Sequence, residues 1–309
     1  MTHSIFIDGA AGTTGIEIRE RLEGRPEFSL ILLDDAQRKD QAARRQAIND
    51  ADVVILCLPD DAAREAVSLI ANDRTRVIDA STAHRVADGW TYGFPELVGR
   101  DVVAASKRVS NPGCYPTGFI ALVAPLVRAG ILPADWPLSV NAVSGYSGGG
   151  KAMIAEYEGS EGRPTAWRGY GLTLAHKHVP EMRKHAGLAH APIFAPSVTD
   201  TYRGMIVEVP VQLGVLPGRP SPARVAEVLA AAYAGSSIVS LVEGYEAPTL
   251  PVERRAGTDG MDLVVFASAD GAQVRLAASL DNLGKGASGA AVQNLNLLCG
   301  LEEAAGLVL

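Results

Sequence analysis

Cysteine is scarce in this chain of 309 residues: there are three, Cys57, Cys114 and Cys299, with no CxxC pair among them. That excludes a disulfide scaffold and fits a reducing compartment. Aromatic residues make up only 6% and the net charge is −7, so no basic, aromatic-laced surface is available for nucleic acid or an acidic membrane. No apolar run approaches the roughly 20 residues that a membrane span requires. Nothing ahead of the first strand predicts a secretory signal, and repeats and low-complexity tracts are missing. The chain is therefore expected to be cytoplasmic, with a small-molecule substrate and neither nucleic-acid nor membrane partners. Its apolar fraction of 47% and charged fraction of 20% are ordinary for a soluble enzyme. Its length suits two domains at roughly 150 residues each.

Glycine, by contrast, is plentiful, with 32 residues, and it clusters. Residues 4–8 form a short apolar strand that runs into GAAGTTG at 9–15, after which a helix is predicted over 13–22. This is a GxxGxxG pattern in the strand–loop–helix setting of a dinucleotide fold. Gly9, Gly12 and Gly15 let the backbone approach a pyrophosphate, and the helix start at Thr13 and Thr14 offers it N–H groups and positive dipole. A purely structural turn is the alternative, and the position directly after the first strand disfavours it. The next strand, residues 28–33, ends in Asp34-Asp35. An acidic residue there binds the ribose hydroxyls of NAD, whereas Arg38 and Lys39 suit the 2′-phosphate of NADP. The residues alone leave both cofactors open. A continuous apolar run at 51–59 predicts a strand buried on both faces, with Cys57 in the core, and Asp60 or Asp61 capping a helix to about residue 71. Further strands are expected at 76–79 and 102–104. Alternating strands and helices predict a Rossmann-type, doubly wound parallel sheet. Loops at its strand ends, carrying Pro59, Ser81, Arg85 and Asn111, should face the ligand; Arg85 is there either a clamp for an anionic group or a solvated loop arginine, and the residues alone leave both open.

The stretch SNPGCYPTG at 110–118 organises the rest. Pro112 and Gly113 make a tight approach, and Pro116 suits the first turn of the helix that follows. A cysteine at a helix N-terminus sits beside unpaired N–H groups and the positive end of the helix dipole, which favour the nucleophilic thiolate. A small buried residue at a strand-to-helix turn is the alternative for Cys114. The strained approach and the helix placement favour a nucleophile.

Beyond residue 130 the texture changes. Residues 138–143 alternate like a half-buried antiparallel strand, and SGYSGGGK at 144–151 predicts a flexible loop whose Ser144, backbone N–H groups and Lys151 can hold phosphate or carboxylate. HKHVPE at 176–181 supplies two histidines; no third ligand stands at usable spacing, so no metal site is expected, and an acid/base role beside a cysteine suits His176 or His178 better. Strands at 205–213, 261–267 and 273–279 and a helix at 222–234 complete an α+β domain with a mainly antiparallel sheet. A second glycine-rich loop, 281–290, opens a C-terminal helix whose small-residue start can press on a neighbouring backbone or on a cofactor, and Asn282, Gly284 and Gly286 are the cofactor candidates there. That helix is expected to pack back on the first domain. The predicted division is 1–113 with 286–309 for the dinucleotide and 114–285 for substrate and oligomerisation.

Taken together, GAAGTTG at 9–15, DASTAHR at 79–85, YGFPEL at 92–97, NPGCYPT at 111–117, SGYSGGGK at 144–151, HKHVPE at 176–181 and DNLGKGASGAAVQN at 281–294 resemble the shorter N-acetyl-gamma-glutamyl-phosphate reductases, relatives of the aspartate-semialdehyde dehydrogenases. The resemblance spans nearly the whole chain. It implies a second domain like that of glyceraldehyde-3-phosphate dehydrogenase, and reduction of an N-acetyl-glutamyl phosphate by NADPH in arginine biosynthesis. It also implies a homo-oligomer, dimer or tetramer. By the same carry-over Cys114 is the nucleophile, His178 the favoured acid/base with His176 on the substrate side, Arg85 a contact for the acyl phosphate, and Asn111 and Glu181 part of the substrate site. The family's preference for NADP gives weight to Arg38 and Lys39, with NAD not excluded. DASTAHR departs from longer members, which weakens the Arg85 carry-over. Reduction of aspartyl or amino-adipyl phosphate, or a dinucleotide-sensing protein without catalysis, are the alternatives.

Overall fold

A computed structural model describes residues 2–160 and 162–309. The chain forms two compact units, one of Met1–Pro112 with Ala287–Leu307 and the other of Gly113–Gly286 with Val308–Leu309. Among the described residues no helix is long and apolar enough to cross a membrane.

In the first unit, β1 (His3–Asp8), β2 (Phe28–Ile31), β3 (Val53–Leu56), β4 (Arg76–Asp79), β5 (Thr91–Tyr92) and β6 (Arg108–Ser110) make one sheet in the order β2-β1-β3-β4-β6-β5. All five pairings are parallel. β3 is VVIL and buried at every position, as a strand covered on both faces must be. The helices are α1 (Thr13–Leu22), α2 (Gln41–Asp50), α3 (Asp60–Ser68), α4 (Pro95–Val98) and α5 (Arg100–Ala104). Strand order reverses at β1, where β2 lies to one side and β3 to the other, so the turn after β1 stands at the switch point where such sheets bind ligands. The C-terminal helix Gly289–Leu298 is buried along its whole length, and its Ala291, Val292, Leu295 and Leu298 join Ile5, Ile7, Ile18 and Ile55 in one core.

Two expectations need correction here. Residues 102–104 are not a strand: they lie in α5, and the strand is β6, further along. A three-residue apolar run cannot distinguish the two, and only Val103 of α5 is buried, the mark of a one-faced helix turn. The helix after β3 is capped by Pro59 rather than by an aspartate, and it ends at Ser68. Asp60 instead accepts hydrogen bonds from the Thr82 N–H (2.9 Å) and hydroxyl.

The second unit opens with α6 (Cys114–Arg128) and continues through β7 (Ser139–Gly145), α7 (Gly150–Glu158), β8 (Trp167–Gly169), α8 (Val179–Ala186), β9 (Ile193–Thr199), β10 (Met205–Gln212), α9 (Pro222–Ala232), β11 (Val239–Leu241), β12 (Met261–Ala267) and β13 (Gln273–Leu280). The sheet order is β11-β12-β13-β10-β7-β9-β8. Four pairings are antiparallel and two are parallel, so β7 is antiparallel to β10 on one edge and parallel to β9 on the other. The sheet is therefore mixed, with an antiparallel majority. α6 lies on β10 and β13 between α8 and α9. Its Phe119, Ile120, Leu122 and Leu126 are buried, at about 1.5–3 kcal/mol each. That anchors the helix whose first residue is Cys114. Residues 144–151 are not a flexible loop. Tyr146–Gly149 is a 3-10 turn and Lys151 already lies in α7; the tight turn satisfies the backbone that a glycine run would otherwise leave loose.

Candidate active site

The second unit gathers Cys114, His176, His178 and Glu181. Gly113 caps α6 with extended backbone and no side-chain capping bond, so Cys114 is the first helical residue and is half-buried. The Gly113 N–H donates to Glu181 Oε1 at 2.8 Å, and Glu181 is buried. His178 is the N-cap of α8, and Glu181 sits in the first turn of that helix. One helix start thus carries both the histidine and the carboxylate that grips the peptide just before the cysteine.

The rings of His176 and His178 lie 4.7 Å apart, edge to face, and that of Tyr115 stands 6.0 Å from His178. His176 Nδ1 accepts the backbone N–H of His178 at 3.1 Å. An accepting Nδ1 assigns the proton of the neutral ring to Nε2. Burial, with Lys177 second, also lowers the His176 pKa from 6.5. His176 is thus a neutral ring presenting an Nε2–H donor. Tyr170 donates to the Tyr115 hydroxyl, which donates to the Ser197 carbonyl, both at 3.0 Å. Burial holds both phenols protonated: Tyr115 is raised well above its usual value, and Tyr170 is pushed up to about 12. A Cys114 thiolate would add to both shifts.

Ser144 is buried with its hydroxyl on the Gly145 carbonyl (3.0 Å), and Lys151 is exposed on α7. Asn282 is buried, with Oδ1 on the Gly204 N–H (3.0 Å) and Nδ2 on the Ser147 hydroxyl (2.8 Å). Its amide thus latches two segments of the second unit. A π-helical turn runs over Gly284–Ser288. A Cβ on Gly286 would fall 2.9 Å from Cys114 Cβ, so the glycine's backbone forms a wall against the cysteine.

The remaining candidates lie in the first unit. Gly9 has φ +90°, and a Cβ there would meet the Cys57 carbonyl at 2.2 Å; Gly15 abuts the Gly9 carbonyl in the same way. These two glycines fold the turn onto itself. Gly12 caps α1, again without a side-chain bond, and the buried Thr13 hydroxyl has no hydrogen-bond partner among the described residues. A bare helix start with an unpaired hydroxyl fits a dinucleotide pyrophosphate. Asp34 Oδ1 accepts from the Ala36 and Gln37 N–H groups, at 2.9 and 2.8 Å. These bonds tie it into a local turn. Arg38, paired with Asp35, and Lys39 follow, both exposed. Ser81 donates its N–H and hydroxyl to the buried Asp79, which also meets His84 Nδ1 at 2.6 Å. Arg85 is buried, its Nε on the Asn111 carbonyl (2.9 Å) and a terminal nitrogen on that of Ala80 (3.0 Å). The Asn111 amide donates to the Ala287 carbonyl at 2.9 Å.

The other two thiols are held protonated. Burial, with Asp79 and Asp8 nearby, pushes Cys57 up to about 12, and burial does the same for Cys299. No group of three or more His, Cys, Asp or Glu side chains gathers as a metal site would require, among the described residues. Sequence reasoning missed Asp281, Asp79 and Tyr170. An Asp directly before a glycine-rich turn is a capping signal that points to the first of these; the other two depend on tertiary contacts.

A parallel dinucleotide-type sheet, with a cysteine-headed helix on a separate mixed sheet, fits a dehydrogenase that forms or oxidises an aldehyde. The family models agree: "Semialdehyde dehydrogenase, NAD binding domain" matches residues 4–105, and "Semialdehyde dehydrogenase, dimerisation domain" matches 114–282. Solved structures show the same fold: an aspartate semialdehyde dehydrogenase II from Vibrio cholerae has a TM-score of 0.71 at 18% identity, covering 96% of this chain and 98% of its own. One from Francisella tularensis has 0.70 at 13%, covering 96% and 100%. Much nearer in sequence is an N-acetyl-gamma-glutamyl-phosphate reductase of Brucella ovis, 53% identical over 97% of this chain and all of the relative. That of Chelativorans sp. is also 53% identical, over 96% and 98%. The chain belongs to the N-acetyl-gamma-glutamyl-phosphate reductase family of semialdehyde dehydrogenases.

Proposed function

We propose that this chain reduces N-acetyl-L-glutamyl 5-phosphate with NADPH to N-acetyl-L-glutamate 5-semialdehyde and phosphate, in arginine biosynthesis, through a thioester on Cys114. The observation that carries the reading is 53% identity over 97% of the chain to reductases of that name. The proposed mechanism assigns roles to the residues around Cys114. Its thiolate attacks the acyl carbon, a C–S bond forms, and the C–O bond to phosphate breaks as phosphate leaves. A bound nicotinamide cofactor supplies the hydride that reduces the thioester. His178 gives a proton to the carbonyl oxygen as hydride arrives and takes it back as the C–S bond breaks, returning the thiolate. The neutral His176 donates from Nε2 to the substrate. Backbone N–H groups behind Cys114 steady the tetrahedral oxygen. Asn111 is assigned to the same oxygen, and its amide bond to the Ala287 carbonyl holds the strand end in place. Glu181 belongs to the substrate site and also positions the nucleophile's peptide through its bond to the Gly113 N–H. Arg85, Ser144 and Lys151 receive the phosphate and carboxylate groups of the substrate.

The first unit is the dinucleotide-binding domain. Pro59, Ser81, Asn282, Gly284 and Gly286 accompany the Gly9–Gly15 turn in the cofactor assignment, the last three by shaping the glycine turn. Arg38 and Lys39 hold the 2′-phosphate, a reading supported by the local bonds of Asp34. The second unit makes a cytoplasmic homo-oligomer, dimer or tetramer. A cavity of about 510 Å³, lined in part by Tyr170 and Phe194, opens beside Trp167, Leu172, Leu174 and Ile193, which are 60–85% exposed. An apolar patch of that kind marks an association surface. The test is oxidation of N-acetyl-glutamate, aspartate and amino-adipate semialdehydes in phosphate buffer, each with NADP and NAD. The expected result is turnover of the first with NADP; faster turnover of either other semialdehyde would overturn the substrate, and preference for NAD the cofactor.

A further inference from the structure

Asp281 has no part in the chemistry above, yet it is fully buried beside the turn that walls the nucleophile. Its Oδ1 accepts the N–H groups of Leu283 (2.7 Å) and Gly284 (3.0 Å), and its Oδ2 accepts that of Gly257. Arg203 stands 3.7 Å from Oδ2. The Asp281 main-chain carbonyl accepts the Gly286 N–H at 2.9 Å. One residue therefore ties both ends of the 281–286 turn. The turn is also closed from outside: a Cβ on Gly284 would strike the Thr258 carbonyl at 2.0 Å. Gly286 at its far end is held where only a hydrogen fits against Cys114 Cβ.

We propose that Asp281 is a positioning residue for Cys114, acting through the backbone of Gly286. The cysteine is then braced from two sides by buried carboxylates. Glu181 takes the N–H of the preceding peptide, and Asp281 fixes the wall facing its Cβ. With the wall in place the thiol is restricted to rotamers that leave Gly286 clear. Without it the half-buried sulfur swings, gains access to solvent and loses alignment with the acyl carbon. A misplacement of about 1 Å is enough to cost on the order of a hundredfold in rate. Arg203 balances the buried carboxylate, which otherwise faces only backbone donors.

The inference rests on the thioester reading, so its test includes a measurement that needs no substrate. Asp281→Asn keeps the size and one accepting oxygen but turns the other into a donor facing the Gly257 N–H and Arg203. In the folded variant, kcat should fall at least about tenfold, with KM for the acyl phosphate within about twofold. Alkylation of Cys114 by iodoacetamide, followed by mass spectrometry across pH, should become faster by about threefold or more as the wall loosens. Gly286→Ala should lower kcat similarly but slow alkylation, because its Cβ presses on Cys114. These opposite shifts are what a general loss of stability would not give. Folded Asp281→Asn with wild-type kcat, or with reduced kcat and unchanged alkylation, overturns the proposal. If Asp281→Asn does not fold, Gly286→Ala decides alone, and wild-type kcat and alkylation there overturn it. A wild-type protein that alkylates at Cys114 but does not reduce the acyl phosphate refutes the thioester reading instead.

Discussion

Two helices in this protein begin in the same way and end up with different tasks. α1 and α6 are each capped by a glycine with extended backbone, φ −77° and ψ 164° at Gly12, φ −74° and ψ 152° at Gly113, and neither has a side-chain cap. The first helical residue is Thr13 in one and Cys114 in the other. At α1 the hydroxyl is unpaired among the described residues and the helix start suits an anion that comes and goes. At α6 the occupant is built in: the sulfur belongs to the chain, and the N–H before it is taken by Glu181. A helix N-terminus is thus a generic electrostatic resource. What the chain places at its first position, and what braces that residue, decide whether it binds or reacts.

Removing the built-in occupant should have the largest effect. Cys114→Ser is expected to lower turnover by at least about 10⁴-fold while NADPH binding, followed by fluorescence, stays within twofold or so; near-normal turnover would dissolve the contrast between the two helices. Next comes the histidine at α8 that is proposed to carry the proton. His178→Asn should reduce kcat by about 10²–10³-fold, whereas His176→Asn should act mainly on KM; the reverse pattern would exchange their roles. At α1, Thr13→Val removes a donor without touching the chemistry. NADPH affinity should fall about fivefold, the value of one hydrogen bond near 1 kcal/mol, with kcat unchanged.

The smallest effect is on stability. The unfolded chain protonates His176 near 6.5, while the folded protein, whose His176 pKa is lowered, does not. The unfolded state therefore binds more protons in the window just below 6.5, so stability rises with pH through that window and is complete above it. His176→Asn should flatten this part of the curve when denaturant midpoints are compared between about pH 5 and pH 8. An unaltered slope would place the buried titration elsewhere.

The sequence exposes the two helix starts because both are local. GAAGTTG and NPGCYPT write the turn, the cap and the first helical residue in consecutive letters. The sheets are legible wherever a strand is long enough to show its burial, as in β3 or β13. Residues 102–104 are not, because three apolar residues fit a helix turn as well as a strand. The Ser144–Lys151 segment looks loose in sequence because glycine hides how firmly a backbone is bonded; its N–H groups at 145, 146 and 147 go to carbonyls at 204, 201 and 202. The bracing of Cys114 is illegible for a related reason. Glu181 is 68 positions away from Gly113, and Asp281 and Arg203 meet only in the fold.

The path of the chain through the first unit sets a schedule for its synthesis. A ribosome that has finished residue 286 has delivered all six strands of the parallel sheet and the whole run from Gly113 to Gly286, but not the helix Gly289–Leu298. Until that helix emerges, Ile5, Ile18, Val53 and Ile55 lack part of their packing. The unit that is started first thus stays open until almost the end of synthesis, and a nascent chain interrupted before residue 289 leaves apolar surface uncovered where Val292 and Leu295 belong. Apolar surface left uncovered in this way is what chaperones act on.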